Sequence, residues 1–209
     1  ACPVWTASNH DVGRFATRWC GGDQRKARLA LLVMATLPGA FVLYYGDEIG
    51  MTDVAVPPDL QRDKMTHGNL GGQLIRDRGR TPMQWDASPS AGFTADGVRS
   101  WLPVGDSAAV NVAAQRGDPG SVLGFCRRLI SLRKAELGGQ LASYQQLPAA
   151  PGLWVYRAGG LLVAANFTAG TVTEMALAGT VLLSTGEPAQ LDSGGLALGP
   201  WQGLIARPG

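Results

Sequence analysis

Residues Ala40–Tyr45 read AFVLYY, an unbroken apolar run of the kind a strand covered on both faces of a parallel sheet requires. Upstream, Gln24–Leu37 (QRKARLALLVMATL) carries its charges in the first turn and Ala and Leu through the rest, and Pro38-Gly39 stops it. That pattern predicts a helix. Pro3–Ala7 (PVWTA) predicts a short strand, ended by the polar cluster Ser8-Asn9-His10-Asp11. Strand, helix and strand at this spacing make one right-handed βαβ unit. A single unit of this kind is not a closed α/β domain, because its two strands expose their edges and an apolar face. Either another chain supplies the missing neighbours or the chain is the C-terminal portion of a longer protein, and the second is the expectation.

Composition narrows the classes. With 45% hydrophobic residues the chain can bury a core, and a formal charge of +2 gives no reason to expect nucleic acid or an anionic membrane as partner. Cys2, Cys20 and Cys126 contain no CxxC pair and cannot all be paired, which excludes a disulfide framework. His10 and His67 are the only histidines, which excludes a multi-histidine metal site, and no cofactor is expected. The longest apolar run, Leu29–Leu37, is far short of the roughly 20 residues of a membrane span. No signal peptide is visible and a cytoplasmic protein is expected, although a chain starting at Ala1 without Met carries little information on export.

Thr52–Pro119 has no sustained period and is expected to be a long functional loop excursion with short helical turns. Ser121–Leu137 predicts a second helix, with Ser121 as N-cap and an apolar stripe of Val122, Phe125, Cys126, Leu129 and Leu132. Beyond Gly138-Gly139 the composition shifts. Short apolar runs at Leu153–Tyr156, Leu161–Asn166, Thr171–Ala176, Thr180–Leu183 and Gly203–Ala206 alternate with Gly-containing turns, among them Gly194-Gly195. They predict a small antiparallel β-domain over residues 138–209, following an α/β part over residues 1–137.

Several clusters could carry chemistry. Asn9-His10-Asp11 follows a strand, and a carboxylate beside an imidazole suits sugar hydroxyls: one accepts two hydrogen bonds, the other donates one. Arg14 is expected to keep Asp11 ionised. Taken alone, the tripeptide reads first as a helix N-cap, which needs no function. Asp47-Glu48 could be an acid/base pair, but adjacent carboxylates point apart on an extended chain, which favours loop bracing or Arg pairing. Arg76–Asp86 (RDRGRTPMQWD) is the densest polar and aromatic cluster, with the guanidinium forks and indole face that sugar subsites use. A solvated charge run is the bland alternative, which Met83 and Trp85 argue against. Cys20 and Cys126 are expected to be buried small hydrophobes.

Taken in order, SNHD with Val12-Gly13-Arg14, then YYGDEIGM (Tyr44–Met51), then RTPMQWD (Arg80–Asp86) before Ala91-Gly92-Phe93 resemble the α-amylase superfamily of glycoside hydrolases. Within it the sequence is similar to the α-glucosidase and oligo-1,6-glucosidase branch. The resemblance implies that Pro3–Ala7 and Ala40–Tyr45 are strands seven and eight of a (β/α)8 TIM barrel. Ser121–Leu137 would be the last barrel helix, and the rest a C-terminal β-sandwich. By the same resemblance Asp11 is the third essential carboxylate, and His10 and Arg80 bind the sugar being cleaved. The family's nucleophilic Asp and acid/base Glu belong to strands ahead of Ala1, so the chain alone is expected to be inactive. Thr52–Thr66 departs from the family pattern.

The resemblance implies a retaining α-glucosidase acting on short α-glucoside oligosaccharides. Alternatives are a transglycosylase or trehalose-synthase-type relative, and a non-catalytic relative comparable to transporter-associated heavy chains, against which Asp11 argues. A carbohydrate-binding module would require exposed aromatics among Tyr144, Trp154, Tyr156, Phe167 and Trp201, most of which are expected in strand cores.

Overall fold

The computed structural model describes residues 2–63, 76–138, 143–174, 177–187, 189–192 and 195–209. His67, the end of the Thr52–Thr66 stretch, Gly139, Met175-Ala176 and Gly194 lie outside the described residues. In chain order the elements are β1 (Val4–Thr6), α1 (Phe15–Arg18), α2 (Gln24–Thr36), β2 (Ala40–Val42), α3 (Val112–Arg116), α4 (Val122–Leu132) and strands β3 (Tyr144–Leu147), β4 (Leu153–Ala158), β5 (Leu161–Asn166), β6 (Val172–Glu174), β7 (Gly179–Ser184), β8 (Gln190–Asp192), β9 (Gly195–Leu198) and β10 (Gly203–Pro208). They form two compact units: Ala1–Trp5 with Arg25–Val42 and Phe125–Gly209, and Thr6–Gln24 with Leu43–Gly124.

In the first unit β1 pairs with β2, and the Ala40 amide donates to the Pro3 carbonyl at 2.9 Å. Gly39 makes the approach possible, because its φ is 124° and an added Cβ would lie 2.4 Å from the Pro3 carbonyl oxygen. The predicted buried strand Ala40–Tyr45 is corrected here. Only Ala40–Val42 is strand, and Ala40 and Val42 are exposed. A sheet of two three-residue strands gives each strand one partner, so its apolar side chains have too few neighbours to bury them.

The predicted helix at Gln24–Leu37 is present as α2, which buries Leu29, Leu31, Leu32, Val33, Met34 and Ala35. Its Thr36 hydroxyl meets the Tyr156 hydroxyl at 2.5 Å, and burial pushes the Tyr156 phenol above its ordinary pKa. Gly203 keeps the adjoining surface of β10 low: a Cβ there would come within 2.7 Å of Leu29 Cδ1.

The remaining strands form a five-stranded sheet, ordered β3-β4-β5-β10-β7, and a three-stranded sheet, ordered β6-β9-β8, with antiparallel pairing. Leu153, Val155, Leu162, Ala164, Leu204 and Ala206 of the first share one core with Leu191, Leu196 and Leu198 of the second. The period-2 alternation of strands delivers one residue in two to that core. Buried Asn166 closes the arrangement, donating to the Gly170 and Gly199 carbonyls at 2.8 Å each and accepting from the Thr168 amide at 2.8 Å. The expectation that most aromatics of this region are core residues needs correction. Tyr156 is buried, but Tyr144 and Phe167 are exposed and Trp154 and Trp201 are half-buried.

In the second unit the Thr52–Pro119 excursion contains 3-10 turns at Pro58–Leu60 and Arg76–Gly79 and the short helix α3. Ile49, Met51, Met83 and Val112 form its buried cluster. Gln84 replaces regular pairing with side-chain bonds, its amide donating to the Asp106 and Val110 carbonyls at 2.9 and 2.5 Å. Ser121 caps α4 through Oγ, which accepts from the Gly124 amide at 3.0 Å. The helix predicted to Leu137 is regular only to Leu132 and then widens into a π turn over Arg133–Leu137.

Candidate active site

The site lies wholly in the second unit, between the loop that follows β1 and the segment Arg76–Arg80. Asn9 shapes that loop: its Oδ1 accepts from the Asp11 and Val12 amides at 2.8 and 3.0 Å. This is an Asx turn, and it carries the next two side chains at the surface. His10 and Asp11 are accordingly 70% and 50% exposed at the side chain. The N-cap alternative is set aside, because the residue at the N-cap of α1 is Arg14 and not a member of the tripeptide. Ser8 closes the turn instead, with Oγ accepting from the Phe15 amide at 2.9 Å.

Two arginines converge on Asp11. Arg76 Nη1 donates to its Oδ1 at 2.7 Å, and Arg80 Nη2 donates to the same oxygen at 3.4 Å. Arg80 Nε also donates to the His10 carbonyl at 2.6 Å, while His10 Nε2 stands 3.3 Å from Asp11 Oδ2. The Arg76 hydrogen bond, reinforced by the charges of His10, Arg76 and Arg80, holds the Asp11 carboxyl below its ordinary pKa. Asp11 therefore presents an ionised carboxylate, with Oδ1 engaged by guanidinium groups and Oδ2 facing the imidazole. The structure thus brings together His10, Asp11 and Arg80, the three residues singled out from the sequence.

Arg14 does not do what its spacing predicts. It is fully buried, donates through Nη1 to the Tyr45 carbonyl at 2.5 Å, and lies 4.7 Å from the Tyr45 ring centroid and 5.3 Å from that of Tyr44. The ionising role expected of Arg14 falls to Arg76, 65 residues away in sequence. Asp47 is buried as well, and burial raises its pKa to about 6 against the opposing pull of Ser8 and Arg14. Asp47 lies on the short turn Asp47–Ile49, and its carboxylate is enclosed in the interior.

A further anchor fixes the loop from below. Asp53 Oδ1 accepts from the Arg14 amide at 2.7 Å, and a Cβ on Gly13 would collide with Asp53 Oδ2 at 2.4 Å. Arg76 is itself gripped by Asp63, which accepts from its Nε and, at 2.9 Å, from its Nη2. In the RTPMQWD segment Met83 is buried, Trp85 is exposed, and Asp86 turns back to accept from the Ser88 amide at 2.8 Å. Tyr45, in the same unit, holds this segment through its hydroxyl, which donates to the Thr81 carbonyl at 2.7 Å.

Sequence reasoning missed Arg76 as a partner of Asp11, and missed Asp63 altogether. The available signal for Arg76 was its place four residues before Arg80, one 3-10 turn away on the same segment. Asp63 gave none. Among the described residues, no group of three or more His, Cys, Asp or Glu could hold a metal ion, and no helix is long and apolar enough to cross a membrane.

Residues 142–205 match a domain of unknown function, DUF3459. An α-glucosidase of Apis mellifera is 37% identical over 138 residues, covering 64% of this chain and 24% of that protein. The "Probable oligo-1,6-glucosidase 2" of Bacillus subtilis strain 168 is 36% identical over 171 residues, covering 71% and 30% respectively. The chain thus spans about a quarter to a third of these relatives. Among solved structures, the α-glucosyl transfer enzyme XgtA superposes with a TM-score of 0.82 at 28% identity, over 99% of this chain and 41% of its own. Residues 1–139 match the family model described as the α-amylase catalytic domain, and the chain belongs to the α-amylase family of glycoside hydrolases.

Proposed function

We propose that this chain is the C-terminal portion of a retaining α-glucosidase that releases terminal glucose from short α-linked oligosaccharides. The observation that carries the reading is the exposed His10–Asp11 pair, with Asp11 kept ionised by Arg76 and Arg80. A retaining glycosidase passes through an oxocarbenium-like transition state and needs a nucleophile and an acid/base carboxyl flanking the bond. In this reading neither comes from the present residues. Asp11 and His10 instead grip glucosyl hydroxyls, through hydrogen bonds that tighten as the ring distorts. Arg80 lines the same subsite and fixes the His10 backbone.

On this reading β1 and β2 correspond to strands seven and eight of a (β/α)8 barrel, and residues 138–209 to the domain that follows it. Similarity to an α-glucosyl transfer enzyme over nearly the whole chain supports a second reading, in which a sugar replaces water as acceptor. Both use the same residues here and differ only in the acceptor.

The test uses an intact parent protein carrying this sequence, with p-nitrophenyl α-glucoside as substrate. The parent is expected to release nitrophenol with retention at the anomeric carbon, and residues 1–209 alone to release none. Turnover by the isolated chain that Asp11→Asn abolishes would overturn the assignment to an incomplete site. Release of glucosylated acceptor in place of glucose, with added maltose, would select the transfer reading.

A further inference from the structure

Asp63 stands at the centre of the polar network beneath Asp11. Its side chain is only 5% exposed, against 50% for Asp11. The carboxylate takes Nε and Nη2 of Arg76, leaving Nη1 as the one nitrogen of that fork directed at Asp11. It also pairs with Arg80, whose Nη1 lies 3.5 Å from Asp63 Oδ2. Both guanidinium groups are therefore shared between an interior carboxylate and an outer one.

The Asp63 backbone is fixed in turn. Buried Asp77 accepts through Oδ2 from the Arg62 and Asp63 amides at 2.6 and 2.9 Å. Each guanidinium group faces both Asp11 and Asp63, and the planar Arg fork is rigid enough to transmit orientation. A bidentate grip at one edge of Arg76 sets where its remaining N–H points.

We propose that Asp63 is a positioning residue for the sugar-binding pair: it aims Arg76 and Arg80 at Asp11 Oδ1 and keeps both guanidinium groups off Oδ2, the oxygen that with His10 would meet a glucosyl hydroxyl. The proposal rests on the reading of Asp11 as a sugar-binding carboxylate. Removing Asp63 frees Arg76 to swing and lets both cations close on Asp11, which competes with substrate for its oxygens. Displacement of a catalytic group by about 1 Å can lower the rate by roughly 10²-fold.

The experiment is a double-mutant cycle in the intact parent, with Asp63→Ala, Arg76→Ala and the double variant assayed on p-nitrophenyl α-glucoside. Asp63→Ala is expected to lower kcat by about 10- to 100-fold with a smaller change in KM. In the Arg76→Ala background the same change should cost less than about threefold, since residues acting through a common partner are not additive. Equal losses in both backgrounds would overturn the proposal. Asp63→Asn keeps the shape and the backbone contacts, so it controls for folding; full wild-type kcat in that variant would also count against a charge-based grip.

An activity-independent measurement separates this idea from the functional reading. The Arg76 Nε–H NMR signal of the parent should exchange slowly with solvent, and Asp63→Asn should accelerate that exchange. Unchanged exchange overturns the positioning role whether or not the parent turns over glucosides. A parent inactive on every α-glucoside defeats the functional reading alone, and the exchange rates still decide the role of Asp63.

Discussion

Arg76 Nη1 lies 2.7 Å from Asp11 Oδ1 and reaches it across 65 residues of chain, so the carboxylate at the end of β1 is held by the loop that follows β2. The loops after the two strands therefore act as one site. The exposed atoms of that site come from His10 and Asp11, and the atoms that orient them come from Arg76, Arg80 and Asp63.

Asp47 predicts a pH dependence of stability. Burial raises its pKa from 3.8 to about 6, so the folded state holds a proton that the unfolded state releases first. Its contribution is fully present below about pH 4 and is lost as pH rises through 6. At about 1.4 kcal/mol per pKa unit, the loss over that window is roughly 3 kcal/mol. Asp47→Asn should lack this falling component, so its melting temperature relative to wild type should rise between pH 4 and pH 7. Parallel curves for the two proteins would show that Asp47 does not titrate in this window.

Gly39→Ala is expected to damage the β1–β2 pairing. The new methyl would meet the Pro3 carbonyl oxygen at 2.4 Å, and φ at 124° is outside the range an Ala adopts readily. Strained backbone of this type costs on the order of 1–3 kcal/mol before the clash is counted. Chemical denaturation should show a lowered midpoint, whereas Gly117→Ala, where nothing lies within 4 Å, should leave it nearly unchanged.

Asn166→Ala removes the donors to the Gly170 and Gly199 carbonyls and the acceptor for Thr168 at a fully buried position. Leaving buried polar groups unsatisfied costs about 1–3 kcal/mol each, less where water enters. A loss of roughly 2–4 kcal/mol in the stability of the β-domain is expected by calorimetry. Wild-type stability in this variant would mean that water replaces the side chain without cost.

Much of this was legible in sequence where a local rule decides the outcome. The run Gln24–Thr36 has one stop signal and one burial pattern, and Leu161–Asn166 is an apolar run between turns; both appear as expected. Tyr144–Leu147 escaped notice because YQQL is a largely exposed strand at the end of its sheet, with no alternation to detect. Gln190–Asp192 and Gly195–Leu198 are too short to show a period. The Asn9-His10-Asp11 turn was legible because its side chains act next to their own backbone. Arg14 was misread for the complementary reason: proximity in sequence suggested Asp11, but the chain turns at Asn9 and sends the guanidinium inward to Tyr45. Asp63 could not be found this way, since its role exists only once two distant segments meet.

In the proposed function Asp11 is a sugar-binding carboxylate whose charge matters in the transition state. Asp11→Asn keeps the shape, removes the charge and turns one acceptor into a donor, so kcat of the intact parent should fall by roughly 10²–10³-fold, the scale seen when one preorganised electrostatic partner is removed. KM should change far less, and the melting temperature should hold, because Asp11 is exposed and caps no helix. The decisive measurement is kcat of this one variant on p-nitrophenyl α-glucoside, read beside its melting curve. The predicted result is a large loss of kcat with an unchanged melting temperature; a kcat within about threefold of the parent, less than 1 kcal/mol in barrier, would contradict the account.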